Sequence, residues 1–406
     1  MLGISLLCYF AVYDCLSSYG WQAIILSWSR VGNDGMIFKI KVFLMTTKPT
    51  VTLHIGTEKT GTTTIQEFLF LNKSILLRQN VFIPAFLGPR NHRWAVFLAE
   101  GDDRVDAFTK SRGLSEDKEK RLSIKSFKRD ELFQKTIDFS NKHWVISSEF
   151  FQSRLTTELE IRELKKILLE AFSSVNIVIY VREPIRTAIA TWSTMIKAGG
   201  TIRALWEPGR FEKNNCDHKA ILSRWLNVFD KHQITVRLFD RNSFENDDLL
   251  NDFCKYARIT MSPDFAIPAP SNQSLSFKAI LILSEINKSI PNFIGPRKNY
   301  IRGDIVKYIE NCLKAYPGYI PTKDEVEQYA EYYSDSTDWI KEQFFPMNTP
   351  LWTPSLTRDC DDHRFEPHIS HTERDLALLV ANIWNDKSKE LLKFNRRAKR
   401  VQNVSL

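Results

Sequence analysis

The sequence predicts an α/β fold of three layers, a parallel sheet with helices on both faces, followed by a helical C-terminal portion. Three observations predict it. From residue 50 to about residue 254, short β-rich runs alternate with stretches of helical apolar spacing. The clearest run, Ile177 to Val181, is apolar throughout, the pattern of a parallel strand buried on both faces. Beyond the proline-rich segment Ile267 to Pro270, helical spacing continues with no further clear strand.

Taken in order, Val51 to Ile55 reads as the first strand and stops at Gly56. From Thr62 onward Ile65, Phe68, Leu69 and Leu76 carry a helical spacing. Further strands are expected at Val81 to Ile83, Trp144 to Ser147, Ile177 to Val181 and Ile234 to Phe239. After Arg182, Pro184 suits the first turn of a helix, Ile185, Ala188, Ile189, Trp192 and Ile196 give its apolar face, and Gly199-Gly200 ends it. Helices are also expected around Leu222, Trp225 and Phe229, and over about Asp247 to Cys254. The charge-rich stretch from Gly101 to Asp130 reads as solvated helices or a surface excursion, with no chemistry assigned to it.

Composition sets wide bounds. The 406 residues are 43% hydrophobic, enough core for one large domain or two ordinary ones. A net charge of +8 suits anionic ligands without identifying one, and no nucleic-acid partner is expected. Six cysteines without a C-x-x-C pair point away from a zinc knuckle or a dense disulfide framework, and toward a reducing compartment. In the first 44 residues, the apolar stretches Ile4 to Val12 and Ala23 to Leu26 fall short of the ~20 residues of a membrane span. No Lys or Arg precedes the first, as a secretory signal would require. Residues 1–44 are therefore read as a non-native or poorly ordered extension ahead of a start at Met45, and the protein as cytoplasmic. A degenerate membrane anchor in residues 1–44 is the alternative. The domain proper is expected from residue 45, with an α/β body to about residue 265 and a helical cap from about residue 271.

Gly56-Thr57-Glu58-Lys59-Thr60-Gly61-Thr62-Thr63-Thr64 joins the first strand to the first helix. Such a loop presents backbone N–H groups and a helix dipole to an anion. Threonine hydroxyls add donors, and Lys59 adds a mobile positive charge. The triphosphatase loop G-x-x-x-x-G-K-[ST] places its lysine after the second glycine, whereas Lys59 precedes Gly61 by two residues. No acidic residue ends a neighbouring apolar strand as magnesium handling would require, so a metal-dependent triphosphatase fits poorly.

The segment HIGTEKTGTTTIQEFL resembles the 5′-phosphosulfate loop of sulfotransferases that use PAPS (3′-phosphoadenosine-5′-phosphosulfate), especially the bacterial-type family acting on carbohydrates. The resemblance continues through WVISSEFFQSRL, IVIYVREPIRTAIATW, LSRWLNVFD with VRLFDRNSF, SNQSLS and DSTDWIKEQFFP, and covers most of residues 50–350. It implies a P-loop fold, PAPS as donor and PAP as product, no required metal, and a hydroxyl acceptor, with a saccharide or glycolipid favoured. It also implies that Lys59 contacts the phosphosulfate, that Thr60, Gly61, Thr62, Thr63 and Thr64 hold the 5′-phosphate, and that Arg182 binds the 3′-phosphate. The family's serine eight residues after that arginine is Ala190 here, and Thr191 is the neighbouring hydroxyl that could substitute.

Sulfuryl transfer needs an in-line acceptor hydroxyl, a base for its proton and cations for the leaving phosphate. Glu149, directly after the WVIS strand, is the expected base, and its alternative role is an ion pair with Arg154 or Arg182. His92 is the second candidate, and His54 reads as a core residue. Arg297-Lys298 resembles a late Arg-Lys pair that touches the 3′-phosphate in cytosolic relatives, although Asn299 stands where glycine would follow. Asp359 to His363 lacks the spacing of a calcium or zinc site and reads as a solvated loop. Two other function classes stay open: an ATP-dependent P-loop kinase, and a PAP- or PAPS-binding protein without catalysis.

Overall fold

The computed structural model describes residues 10–14, 22–31, 35–44, 47–269, 274–295, 297–346, 351–360, 362–365 and 370–402. The first three segments are backbone strands, β1 (Phe10–Asp14), β2 (Gln22–Val31) and β3 (Gly35–Leu44), which pair antiparallel in a sheet of their own. The rest of the proposed extension lies outside the described residues.

Five strands, β4 (Thr50–His54), β5 (Val81–Phe82), β6 (His143–Ser147), β7 (Ser174–Val181) and β8 (Ile234–Leu238), form a parallel sheet in the order β5-β6-β4-β7-β8. The expected strands are all present, with ends that coincide or are displaced by up to three residues. In the central strand Leu53 pairs with Ile146 on one side and Ile177 on the other, and all three are buried. Such apolar residues on both faces of neighbouring strands are what calls for a helical layer on each side.

The helices in chain order are α1 (Thr62–Arg78), α2 (Arg93–Ala99), α3 (Ala107–Ser111), α4 (Lys118–Asp138), α5 (Phe150–Arg154), α6 (Glu158–Ala171), α7 (Pro184–Lys197), α8 (Lys213–Cys216), α9 (His218–Leu226) and α10 (Leu249–Tyr256). Ile65, Phe68 and Leu69 of α1 and Phe253 of α10 pack with Val145 and Val178 on one face. Leu164 and Leu168 of α6 and Leu222 and Trp225 of α9 pack with Leu53, Ile146 and Ile177 on the other. The charge-rich stretch is largely helical, in α3 and α4.

The C-terminal portion holds α11 (Phe277–Ser289), α12 (Ile305–Leu313), α13 (Lys323–Tyr332), α14 (Ser334–Phe344) and α15 (His371–Gln402). Ile280 and Leu283 of α11 pack on Ile185, Trp192 and Ile196 of α7, so the cap is built on the helix that follows β7. One expectation is corrected: a hairpin of β9 (Phe293–Ile294) and β10 (Arg297–Lys298) interrupts the helices. Two-residue strands are too short to leave a period in the sequence. Among the described residues no helix is long and apolar enough to cross a membrane.

The chain leaves central β4 toward β5 and β6 on one side, then crosses to β7 and β8 on the other. In an open parallel sheet, ligands bind beyond the carboxyl ends of the strands where this reversal occurs. That point lies between β4 and β7, at the loops leading to α1 and α7.

Candidate active site

A cleft of about 570 Å³ opens at this reversal, lined by Lys59, Gly61 and the three threonines of the loop, by Glu149, and by Arg182. Its floor is fixed by backbone. The chain beyond β4 stays joined to β7, with Thr57 N–H donating to the Tyr180 carbonyl at 2.9 Å and Tyr180 N–H to the Gly56 carbonyl at 2.7 Å. Gly61 then enters α1 at φ 71°, where a β-carbon would come within 2.4 Å of Leu249 Cδ2. Glycine there lets the loop sit against α10.

Helix α1 starts without a side-chain cap and without an acidic residue in its first turn. The N–H groups of Thr62 and Thr63 therefore keep their donor capacity at the positive end of the dipole, while Thr64 N–H donates to the Gly61 carbonyl at 3.0 Å. Thr62, Thr63 and Thr64 line the cleft, but Thr60 does not. The Thr60 hydroxyl donates to the Thr57 carbonyl at 2.6 Å, so this side chain shapes the turn instead of offering a hydroxyl to the cleft.

Lys59 holds a left-handed φ of 68°, an uncommon backbone state for a side-chain-bearing residue. Its Nζ donates to Thr194 Oγ1 at 2.9 Å. Burial lowers the Lys59 pKa, the carboxylates of Glu58 and Glu149 oppose that, and Lys197 and Arg182 reinforce it. Arg182 donates to the Lys59 carbonyl at 2.9 Å and lies 5.3 Å from the Phe239 ring centre. Burial, then the nearby Arg186, holds Arg182 down at about 10.

Across the cleft, Ala190, Ser193, Thr194 and Lys197 of α7 line the wall at helical spacing. Thr191 is not on that face. Its Oγ1 is buried without a hydrogen-bond partner, which corrects the expectation that it substitutes for a serine at position 190.

Glu149 faces the cleft immediately after β6. Its Oε2 accepts from Gln66 Nε2 and from Asn91 Nδ2, each at 2.7 Å. The ion pair with Arg154 or Arg182 is absent: Arg154 lies 3.9 Å from carboxylate oxygens of Glu58 and Asp106 instead. Burial raises the Glu149 pKa, with the Gln66 amide the leading opposing influence. Gly56 makes room for it, since a β-carbon there would stand 3.2 Å from Glu149 Cα.

His92 is corrected as a base candidate. Its Nδ1 accepts the Ser147 N–H at 2.8 Å, which places the neutral ring's proton on Nε2, itself buried without a partner. Burial holds its pKa down at about 3, and it does not line the cleft. His54, bonded through Nδ1 to Ser147 Oγ at 2.8 Å, is likewise a core residue held at about 3 by burial. Lys298 is exposed on β10 and does not line the cleft, and the Arg297 side chain lies outside the described residues. Asp362 bonds Arg364, while Asp361 and the His363 side chain also lie outside the described residues.

Sequence reasoning missed Gln66, Asn91, Thr194 and Lys197. A usable signal existed for the last two, which stand four and seven residues beyond Ala190 and so share its helix face. For Asn91 the sequence candidate is its neighbour, His92.

No family model matches this chain, and no curated protein does. Among solved structures it is similar to the crystal structure of a sulfotransferase from Alicyclobacillus acidocaldarius, at 15% identity and a TM-score of 0.34. The likeness covers 58% of this chain and 90% of that one. So low an identity and score carry no argument about chemistry, which rests on the cleft itself.

Proposed function

We propose that this protein is a sulfotransferase that moves a sulfuryl group from PAPS to a hydroxyl of a saccharide or glycolipid. The observation that carries this reading is one cleft lined by an uncapped helix N-terminus, three cations and two carboxylates, in which Lys59, Arg182 and Glu149 are each hydrogen-bonded to neutral groups. The residues present suit such a donor. Thr62 to Thr64 and the first N–H groups of α1 would hold the 5′-phosphate, and Arg182 would offer a fork to a second phosphate. Phe239 and Leu249 give the same cleft an apolar side.

In this reading Glu149 removes the acceptor proton as the hydroxyl oxygen forms its bond to sulfur. The bond from sulfur to the bridging oxygen breaks, and the electron pair leaves with the phosphate. Lys59 neutralises the charge that gathers on that oxygen. The products are the sulfate ester and PAP, with the proton on Glu149 passing to solvent.

Thermal stabilisation of wild type and Lys59→Ala by PAP, AMP and ATP with magnesium tests the reading, followed by transfer from labelled PAPS to a saccharide panel. A PAP-selective rise that Lys59→Ala diminishes is expected, together with a labelled acceptor. Equal responses to PAP and AMP, or none, would withdraw the reading. Stabilisation by ATP with magnesium alone would favour a kinase, and PAP binding without turnover across the panel a non-catalytic nucleotide-binding protein.

A further inference from the structure

Position 190 presents a methyl group to the cleft where a hydroxyl could have met an anion, and the adjacent Thr191 hydroxyl is buried away from it. The same helix face continues with Ser193, Thr194 and Lys197. Ser193 Oγ accepts the Leu275 N–H at 2.8 Å, which ties the segment before α11 to this wall. Thr194 Oγ1 donates to the Ala190 carbonyl at 3.1 Å and accepts from Lys59, so its oxygen already lies beside the loop lysine. Side chains on a helix lean toward its N-terminus, so Lys197 lies over the turn that carries Thr194.

We propose that Thr194 and Lys197, together with Arg182, recognise the donor's 3′-phosphate, replacing the hydroxyl that Ala190 lacks with groups one and two turns further along α7. The inference rests on the sulfotransferase reading. Three observations support it independently of position 190. Lys197 and Arg182 line one cleft. Both act electrostatically on Lys59, lowering its pKa, so a dianion placed among the three relieves their repulsion. Lys197 also pairs with Glu310 of α12 at 2.8 Å, and both side chains are partly exposed. A partly exposed pair of that kind holds its partners weakly. It can orient Lys197 while leaving the ammonium able to turn to a phosphate, whose charge-assisted hydrogen bonds are stronger.

Calorimetric titration of the full chain with PAP and with AMP, which differs from PAP only in lacking the 3′-phosphate, tests the assignment. The variants are Thr194→Val, Lys197→Met and Glu310→Gln. Wild type is expected to prefer PAP. Thr194→Val and Lys197→Met are each expected to weaken PAP by about tenfold, the effect of one lost hydrogen bond to a charged group, and to leave AMP within about twofold. Glu310→Gln, which removes one ionic partner of Lys197 without altering the cleft wall, should tighten PAP severalfold and leave AMP unchanged. If wild type does not distinguish PAP from AMP, the sulfotransferase reading itself falls. If it does, and both cleft variants keep the wild-type ratio, the inference is overturned and Arg182 suffices. Equal loss of PAP and AMP binding would also overturn it, because Thr194 would then serve only to position Lys59. Should the cleft variants fail to fold, an unchanged PAP affinity in Glu310→Gln decides against Lys197.

Discussion

Three charges of the cleft and those of the ionic cluster beneath α2 use the same residue types in opposite ways. In the cluster, Arg93 bonds Glu100 at 2.7 Å and Asp106 at 2.8 Å, and Arg104 bonds Glu160 at 2.8 Å. Each charge there meets its opposite. In the cleft, Lys59 bonds a hydroxyl, Arg182 a carbonyl and Glu149 two amides. A charge held by neutral dipoles keeps its field, whereas a charge held by a counter-ion loses most of it. On the proposed reading, the difference separates groups that stabilise the fold from groups kept ready for a ligand.

The largest effect expected from this contrast is in turnover. Glu149→Gln preserves an oxygen that can accept from Gln66 and Asn91 but cannot take a proton, so kcat should fall by about 10²- to 10⁴-fold. The same variant should melt at a higher temperature than wild type at pH 8. A carboxyl whose folded pKa is raised supports the native state below its unfolded pKa, and that support is lost as pH rises through the folded value. At pH 8 the buried charge is a cost that glutamine removes. Loss of activity with loss of stability would instead put Glu149 in the cluster's category.

Arg93→Met should show the reverse. Arg93 is 7% exposed and Glu100 only 2%, so the substitution strands a carboxylate that burial already pushes above its usual range. Breaking a buried pair in this way costs about 3–5 kcal/mol. Urea unfolding would measure it, and affinity for PAP in the folded fraction should be unchanged.

The legibility of the two regions differs for a physical reason. The loop from Gly56 to Thr64 is contiguous, so chemistry and position arrive in one stretch of sequence, and a strand ending in Arg182 is visible in the same way. Glu149 was placed by its position after β6. Its partners were not, because Gln66 and Asn91 reach it from α1 and from the segment before α2. Contacts of that kind depend on packing between elements. Thr60 and Thr191 failed differently. Each carries the hydroxyl expected of it, but that of Thr60 turns to its own loop and that of Thr191 is buried without a partner, away from the cleft-lining residues of α7. The ionic cluster was illegible for a third reason: Arg104 and Asp106 sit in a charge-rich run that reads as solvated, and only the fold brings Asp106 to Arg93.

A separate effect concerns acid stability, where groups outside both regions dominate. His54, His92 and His218 are held neutral by burial at about 3. Their unfolded counterparts titrate near 6.5. As pH falls below 6.5 the unfolded chain takes up protons that the native state refuses, so stability should decline by roughly 1.4 kcal/mol per pH unit for each such histidine. Unfolding followed from pH 7 to pH 5 checks the slope. A flat profile would mean that these rings are protonated in the fold.

The smallest effect separates Glu149 as a titrating base from Glu149 as a positioned carboxylate. Burial raises its pKa, and the amides of Gln66 and Asn91 pull the other way by stabilising the ionised form. Gln66→Met removes one donor while keeping the length of the side chain. The acidic limb of kcat/KM should therefore move to higher pH, while the plateau at high pH changes by less than about threefold, since the ionised base and its route to the acceptor remain. Gln66→Glu should move the limb further in the same direction, because a second carboxylate 2.7 Å from Oε2 opposes ionisation of the first. A limb that stays in place in both variants would mean that the proton leaves by another route, and the neutral amides around Glu149 would then be explained by its placement alone.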